Sequence, residues 1–159
     1  MKLNARQLRK EKPSPEIIES IKRNPIFLVL DNVIDTYNIG SLFRLADAVA
    51  AQKIFLCGDM EYPPSSRIHK AAVGTENFVP WEKSDSTLNL VPRLKAKGIF
   101  ILAVEQDPRA ISYKILGSKI KFPVAIVVGN ETKGINPKVL EKADIIVELP
   151  MYGINKSFN

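Results

Sequence analysis

Five short apolar runs alternate with longer stretches of helical character along this chain of 159 residues. The run 124–128 consists mainly of β-branched residues, which favours a strand that is covered on both faces. Parallel strands need crossover connections, usually helices, and the alternation supplies one between successive runs. The sequence therefore predicts an α/β fold, with a mainly parallel sheet between helix layers. The predicted strands are 26–30, 53–57, 99–104, 124–128 and 145–149.

The segments between these runs predict helices and two irregular stretches. Ser14 is followed by Pro15 and an acidic residue, and Asn136 by Pro137, which is the pattern of an N-cap and a first-turn proline. The predicted helices cover residues 14–23, 39–50, 85–97 and 136–142. Residues 58–81 and 105–122 are expected to be irregular, the second stretch with one helical turn.

The chain is expected to be a single cytoplasmic domain without a membrane segment or a bound metal. Its length suits one hydrophobic core, no apolar run approaches the ~20 residues of a membrane helix, and residues 1–12 do not resemble a secretory signal. Cys57 is the one cysteine, so we interpret it as a packed thiol. His69 is the one histidine and makes no metal site alone, so we interpret it as a surface residue of a polar loop.

Basic residues are concentrated at the start of the chain. Lys and Arg outnumber Asp and Glu by 23 to 17, and residues 1–23 hold seven basic and three acidic residues, which is four of the six net positive charges. The phosphates of a nucleic acid attract such a segment whatever the base sequence, although a solvated face that aids solubility explains it equally well. We therefore distinguish a basic N-terminal extension with a short helix, residues 1–23, from a folded domain, residues 24–159.

Three loops that follow predicted strands carry the polar residues of interest, because ligands of parallel sheets bind beyond the carboxyl ends of the strands. The first loop, 31–44, places Asn38 near the start of a helix. Gly40 in this loop lets another backbone or a ligand approach closely. A purely structural interpretation is that Asn38 caps the helix and that Arg44 pairs with Asp47 one turn on.

The second and third loops are rich in glycine and small polar residues. In loop 129–135, Gly134 is followed by Ile135 instead of Lys-Ser or Lys-Thr, and no G-x-G-x-x-G occurs in the chain, so the common nucleotide motifs are absent. Loop 149–159 contains Pro150 and Gly153, which prevent regular structure. Taken singly, the second loop is typical of a tight turn and the third of a disordered terminus.

Together, the three loops resemble the signature motifs of the SpoU (TrmH-like) family in the SPOUT superfamily of RNA methyltransferases. The first motif, N-x-G-x-x-x-R, is met by Asn38, Gly40 and Arg44. The second, G-N/S-E-x-x-G-[IL], is met by Gly129, Asn130, Glu131, Gly134 and Ile135. The third, I/L-P-M-x-G-x-x-x-S-L-N, is met by Leu149, Pro150, Met151, Gly153, Ser157 and Asn159, with Phe158 in place of leucine. The resemblance covers residues 26–159.

The resemblance implies an RNA ribose 2′-O-methyltransferase that uses S-adenosylmethionine. In the family a C-terminal trefoil knot holds this cofactor, and a final helix after the third motif completes the knot. The sequence stops at Asn159, so we expect that helix to be missing from this chain. The residues expected around the cofactor are Val104, Gly129, Asn130, Glu131, Gly134, Leu149, Met151, Gly153, Ile154 and Ser157.

The resemblance assigns activation of the ribose hydroxyl to Arg44. A guanidinium with a pKa above ~12 stabilises a forming alkoxide and clamps phosphate more readily than it removes a proton, but the role of base is kept open. Asn38 and Glu131 are expected to hold Arg44 or the ribose in place. Ser157 and Asn159 are expected to line the pocket.

The expected partners are transfer or ribosomal RNA and a second copy of the chain, since members of the family are usually homodimers. RNA contacts are expected from Arg6, Arg9, Lys10, Lys12 and Arg44, and His69 could add one. Two rival functions share this fold: an RNA-binding module without catalysis, and a SPOUT enzyme that methylates a base nitrogen. A dinucleotide-binding oxidoreductase is disfavoured because the glycine fingerprint is absent.

Overall fold

The structure is a computed structural model, and it describes residues 5–8 and 12–154. Two short helices precede the sheet, and strands and helices then alternate. The strands are β1 (Asn24–Asp31), β2 (Ala51–Cys57), β3 (Trp81–Ser84), β4 (Phe100–Val104), β5 (Ile111–Ser112), β6 (Val124–Gly129) and β7 (Ile145–Glu148). The helices are α1 (Ala5–Leu8), α2 (Pro15–Glu19), α3 (Thr36–Ala48), α4 (Ser66–Ala72), α5 (Thr87–Ala96) and α6 (Pro137–Leu140).

The strands form one parallel sheet in the order β3-β2-β1-β6-β4-β7-β5. The predicted α/β class and the parallel sheet are therefore confirmed, and all five predicted strands are present. In the register of β1 and β6, Asp31 pairs with Gly129. The loops that carry the first two motifs consequently leave the sheet side by side.

Successive side chains of each strand point to opposite faces of the sheet, so the apolar strands place apolar side chains on both faces. Helices cover both. Val29 and Phe55 pack with Leu94 on the face that α5 and α6 cover. Leu30 and Leu56 belong to the opposite core, which is closed by apolar residues of α3 and α4: Ile39, Phe43, Ile68 and Ala72. Each fully buried aliphatic or aromatic side chain contributes about 1.5–3 kcal/mol.

The free thiol of Cys57 is fully buried in the first of these cores. Burial is the main reason that its pKa rises to about 11, and the nearby Asp31 adds to the rise, while hydrogen bonds with Thr87 and Ser84 oppose it. A thiol that stays protonated is a poor nucleophile. The interpretation of Cys57 as a packed thiol is confirmed.

The prediction that residues 58–81 are irregular was wrong, because this stretch contains α4, a 3₁₀ turn over 75–77 and the start of β3. The helix has seven residues and buries Ile68 and Ala72, too few positions for a clear period. His69 therefore lies in a helix and not in a polar loop. Its Nδ1 is 2.5 Å from Oε1 of the buried Glu76, and its side chain is 41% exposed.

Residues 105–122 also contain more structure than expected. They include the two-residue strand β5 and two 3₁₀ turns, at 113–115 and 117–119, instead of one helical turn. A strand of two residues has too little sequence to show an alternation. In the part of the chain that the structure describes, no helix is long and apolar enough to cross a membrane.

Side-chain caps explain where α3 and α6 begin, whereas Ser14, the expected cap of α2, makes no side-chain cap hydrogen bond. α3 starts at Thr36, three residues before the predicted start, because the Asp35 side chain accepts a hydrogen bond from the Tyr37 backbone N–H. The expected cap Asn136 accepts from the backbone N–H of Lys138 and opens α6, which ends at Leu140. Helix α2 ends at Glu19, earlier than predicted.

Gly40 marks the closest approach of α3 to α4. A Cβ at this position would lie 2.6 Å from the Ala72 backbone nitrogen and 2.8 Å from the Ile68 carbonyl oxygen. Of the two possibilities considered for Gly40, the structure therefore supports the approach of another backbone. The glycine lets the two helices pack tightly and so fixes the direction of α3 below the first motif.

We expect Gly40→Ala to lower the free energy of unfolding by about 1–3 kcal/mol, because backbone atoms of α4 have to move. The gain in helix propensity, about 1 kcal/mol, offsets only part of this cost. Urea unfolding monitored by circular dichroism measures the change. Ser41→Ala, at an exposed position of the same helix, is the control and should be neutral or slightly stabilising. A Gly40→Ala protein as stable as the wild type would contradict the contact.

Candidate active site

The first two motif loops meet at the carboxyl edge of the sheet, where Glu131 joins them. Its Oε1 accepts hydrogen bonds from the Asp35 backbone N–H and from Nδ2 of Asn38, both at 3.0 Å. Its Oε2 accepts from the Ile34 backbone N–H, also at 3.0 Å. One carboxylate thus holds the loop before α3 and a side chain of the first turn of that helix.

The environment of Glu131 favours its charged form. Burial is the largest influence and by itself raises its pKa. The hydrogen bonds from Ile34, Asn38 and Asp35 together outweigh burial and leave the pKa below its ordinary value. The positive end of the α3 helix dipole also favours a negative group at this position. Glu131 is therefore ionised at neutral pH.

The second motif forms a tight turn, as its structural interpretation predicted. The backbone N–H of Gly134 donates to the Asn130 carbonyl at 2.9 Å, and the reverse bond is 3.2 Å long. The side chain of Asn130 donates to the Asn32 carbonyl at 2.8 Å and so ties this turn to the first loop. At Gly129, a Cβ would lie 2.3 Å from the backbone nitrogen of Ile135, so no side chain fits there.

Two carboxylates that the sequence analysis did not select support this turn. The buried Asp31 accepts from the Asn136 backbone N–H at 2.9 Å and from the Thr87 hydroxyl at 2.7 Å. Glu105 accepts from the backbone N–H of Ile135 at 2.8 Å and lies against Gly134, where a Cβ would be 2.4 Å from its Oε2. Each is at or just beyond the end of a predicted strand, which is the signal that could have identified it.

Arg44 is exposed on α3, six residues after Asn38. It forms no hydrogen bond or salt bridge with another of the described residues. The structure therefore does not contain the Arg44–Asp47 pair of the purely structural interpretation. Burial raises the pKa of Asp47, and the charge that opposes this rise is that of Arg23. The guanidinium of Arg44 is available to a ligand from solution.

The described part of the third motif does not pack against the second. Leu149 is exposed and Met151 is half-buried, while a Cβ at Gly153 would have no atom within 4 Å. Ile154 is fully exposed. Tyr152 accepts a hydrogen bond from Lys114 Nζ at 3.1 Å, and Lys114 belongs to neither of the other two motifs. The structure thus brings the first two motifs together. The third motif begins at the same edge of the sheet, after β7.

The remaining predicted positions are distributed over the surface and the ends of the chain. Val104 ends β4 and is half-buried, and Lys12 is exposed. The backbone of Arg6 belongs to α1. Arg9, Lys10, Ser157 and Asn159 lie outside the described residues. Among the described residues, no group of three His, Cys, Asp or Glu side chains could hold a metal ion.

An open cavity of about 540 Å³ lies beside the first motif. Residues before and at the start of α3 form one wall, and the loop after β2 forms the other. The lining residues are Ile34, Asp35, Thr36, Asp59, Met60, Glu61 and Arg67. Its volume exceeds the roughly 300 Å³ at which binding sites for small molecules start, but Asn38, Arg44 and Glu131 are not among the residues that line it.

Comparisons with known proteins agree with these motifs. The model of the SpoU rRNA Methylase family matches residues 25–159. YacO of Bacillus subtilis, provisionally named a TrmH family tRNA/rRNA methyltransferase, is 30% identical over 141 residues, 89% of this chain and 55% of YacO. The 23S rRNA (guanosine-2′-O-)-methyltransferase RlmB of Ralstonia nicotianae is 28% identical over 144 residues, 91% of this chain and 57% of RlmB. The chain spans about half the length of these curated relatives.

A solved structure agrees as well. The AdoMet-bound rRNA methyltransferase from Sinorhizobium meliloti has a TM-score of 0.78 and 26% identity, over 96% of this chain and 54% of the other. The family model covers nearly all of the chain from β1 onward, and the sheet and two of the three motifs are where the resemblance places them. The chain belongs to the SpoU rRNA methylase family.

Proposed function

We propose that this chain is the catalytic part of an RNA ribose 2′-O-methyltransferase that uses S-adenosylmethionine. The observation that carries the proposal is the carboxylate of Glu131, which joins the first and second motifs at the carboxyl edge of the sheet. A polar site at this edge is where parallel α/β sheets bind their ligands. Relatives whose names specify methylation of a ribose in 23S rRNA give the same assignment for the reaction.

The residues at this edge fit S-adenosylmethionine. The ends of β6, β4 and β7 are neighbours in the sheet, so the loops after Val104, Gly129 and Glu148 start at the same edge of it. The Glu105 carboxylate and the Gly129–Gly134 turn lie beside each other there. In the proposal, the described residues that hold the cofactor are Val104, Gly129, Asn130, Glu131, Gly134, Leu149, Met151, Gly153 and Ile154, with Ser157 beyond them. The cofactor supplies an electrophilic methyl group.

The chemistry of the chain's own residues is positioning and charge stabilisation. Arg44 binds the ribose 2′-oxygen or the adjacent phosphate, and its positive charge stabilises the alkoxide as the hydroxyl proton passes to solvent water. Asn38, fixed by Glu131, is a positioning residue for the ribose. Ser157 and Asn159 complete the site in this proposal. Because the reacting oxygen has to lie in line with the methyl group, the fixed orientation of the loop before α3 contributes directly to the rate.

The domain boundaries, the knot and the dimer are parts of the same proposal. The sheet begins at Asn24, which supports residues 1–23 as an extension and 24–159 as the methyltransferase domain. Strand β7 lies between β4 and β5, so the chain after Glu148 leaves from within the sheet, as a C-terminal knot requires. We propose a homodimer, and a cytoplasmic location where ribosomal and transfer RNA are modified. Basic residues of the extension, Arg6, Arg9, Lys10 and Lys12, add phosphate contacts.

Two measurements test the function. Calorimetric titration with S-adenosylmethionine should show saturable binding with one site per chain. Incubation with total bacterial RNA and labelled cofactor, followed by digestion to nucleosides, should then yield a 2′-O-methylated nucleoside. Label on a base nitrogen would replace the proposal by the base-methylating alternative. Tight RNA binding without cofactor binding would favour the RNA-binding module.

A further inference from the structure

A second cavity lies on the face of the sheet that α5 covers, opposite the face covered by α3 and α4. It is a groove of about 130 Å³ between the sheet and α5. Phe27 on β1 and Phe55 on β2 supply its apolar wall, with ring centroids 6.2 Å apart. Leu90, Leu94 and Ile99 extend this apolar lining, and four charged side chains complete it: Lys53, Glu82, Arg93 and Lys97.

The groove has more positive charge than its one carboxylate neutralises. Nζ of Lys53 donates to Oε2 of Glu82 at 3.0 Å, so this carboxylate already has a partner. Arg93 and Lys97 form no hydrogen bond or salt bridge with another described residue. The hydrogen bond from Lys53 is the main reason that the pKa of Glu82 is lowered. Burial, the second influence, opposes this, and the charges of Lys53, Arg93 and Lys97 add smaller lowering effects.

The spacing of the two unpaired cations favours an anion between them. Arg93 lies in the last turn of α5, and Lys97, four residues later, is the C-cap of this helix; both line the groove. Like charges at this spacing destabilise a helix by about 0.2–0.5 kcal/mol, and an anion between them removes that repulsion. The rings of Phe27 and Phe55 exclude water on one side, which strengthens the attraction between charges.

We propose that the groove binds a phosphate group of the RNA backbone, at a site separate from the active site. The groove combines an apolar wall with an excess of positive charge, and its volume of about 130 Å³ suits a group as small as one phosphate. The guanidinium of Arg93 is suited to two phosphate oxygens at once. The inference rests on the proposed function, because an RNA substrate is what brings a phosphodiester to the protein.

Because of its position, we expect the groove to contribute to the affinity for RNA and not to the methyl-transfer step. Phe27 is four residues before Asp31 on β1, and Phe55 is two residues before Cys57 on β2, so these two residues lie about 13 Å and about 7 Å from the carboxyl edge of the sheet. Phe27 is about 10 Å from Asn24, where the basic segment 1–23 joins the sheet. The groove therefore extends the positive charge of that segment along the molecule, so that a long RNA could contact both.

Charge-neutralising variants of the full chain test this site. We expect Arg93→Gln with Lys97→Gln to weaken binding of bulk bacterial tRNA and of oligouridylate by about 5- to 10-fold. The slope of log affinity against log salt concentration should fall by about 0.7–0.9, the value for one phosphate contact. Lys95→Gln is the matched control on the same helix, because Lys95 already donates to Asp144 at 2.7 Å. It should change neither quantity.

The outcomes separate this site from the proposed function. If Arg93→Gln, Lys97→Gln and the double variant all bind RNA with unchanged affinity and salt slope, the proposal for the groove is wrong and the proposed function is unaffected. A wild-type chain that binds no RNA would overturn both. NMR can follow competition for the residues of the groove by polyglutamate and by inorganic polyphosphate. Competition by polyglutamate as strong as that by polyphosphate, or stronger, would show that the groove does not recognise phosphate and would overturn the proposal. Melting temperatures confirm that the variants are folded.

Discussion

Replacing Arg44 by alanine should lower the rate of methyl transfer by about 10²–10³-fold and leave cofactor affinity nearly unchanged. The expected loss is that of one charged group that stabilises a forming oxyanion. Arg44 is exposed, has no described partner and lies on a helix whose start is fixed by Glu131 and Gly40. Its removal therefore disturbs neither the fold nor the turn of the second motif.

The decisive measurements are single-turnover transfer at saturating RNA and calorimetric titration with S-adenosylmethionine. Arg44→Lys keeps the charge but loses the planar pair of donors, so partial activity would assign the electrostatic role and a total loss would assign bidentate geometry. Ser41→Ala, one turn earlier at an exposed position, is the control and should transfer at the wild-type rate. Turnover by Arg44→Ala equal to that of the wild type would remove Arg44 from the mechanism.

Local patterns were sufficient to predict most of the fold. The five apolar runs are strands, each short and apolar, and all but one successive pair are separated by an α-helix; residues 105–122 are the exception. Asn136 caps α6 as its side chain predicts. The edge strand β3 was missed because its sequence, Trp-Glu-Lys-Ser, is polar and half-exposed. Helix α4 was missed because it depends on contacts with α3 rather than on its own period.

The site was predictable in its residues but not in its contacts. Asn38 and Glu131 were selected from motifs, yet the bond between them spans 93 residues and exists because β1 and β6 are paired. Asp31 and Glu105 have no motif, and only the folded structure shows that they hold the second turn. The groove beside Arg93 was not predicted, because residues of three strands and one helix form it.

Replacing Glu131 by alanine should affect both stability and activity, because it leaves three N–H donors of the first loop without their acceptor. Glu131 is exposed to solvent, so water replaces part of what is lost, and we expect a decrease of about 1–2 kcal/mol in the free energy of unfolding. Transfer should slow by about 10²-fold, since Asn38 and the loop before α3 lose their orientation. Glu19→Ala, an exposed carboxylate on α2, is the control for both measurements.

The pH dependence of stability distinguishes the positioning role of Glu131 from general packing. Because the pKa of Glu131 in the folded chain is below its ordinary value of 4.5, its charged form adds stability at higher pH, which is lost as the pH falls through the folded pKa. The difference in unfolding free energy between wild type and Glu131→Gln should therefore be largest near neutral pH and shrink below about pH 4. Glu131→Gln retains one acceptor oxygen and should recover part of the rate, with cofactor affinity close to that of the wild type. A difference that is constant with pH, together with no recovery by glutamine, would mean that Glu131 acts by filling space and not by holding Asn38 through its charge.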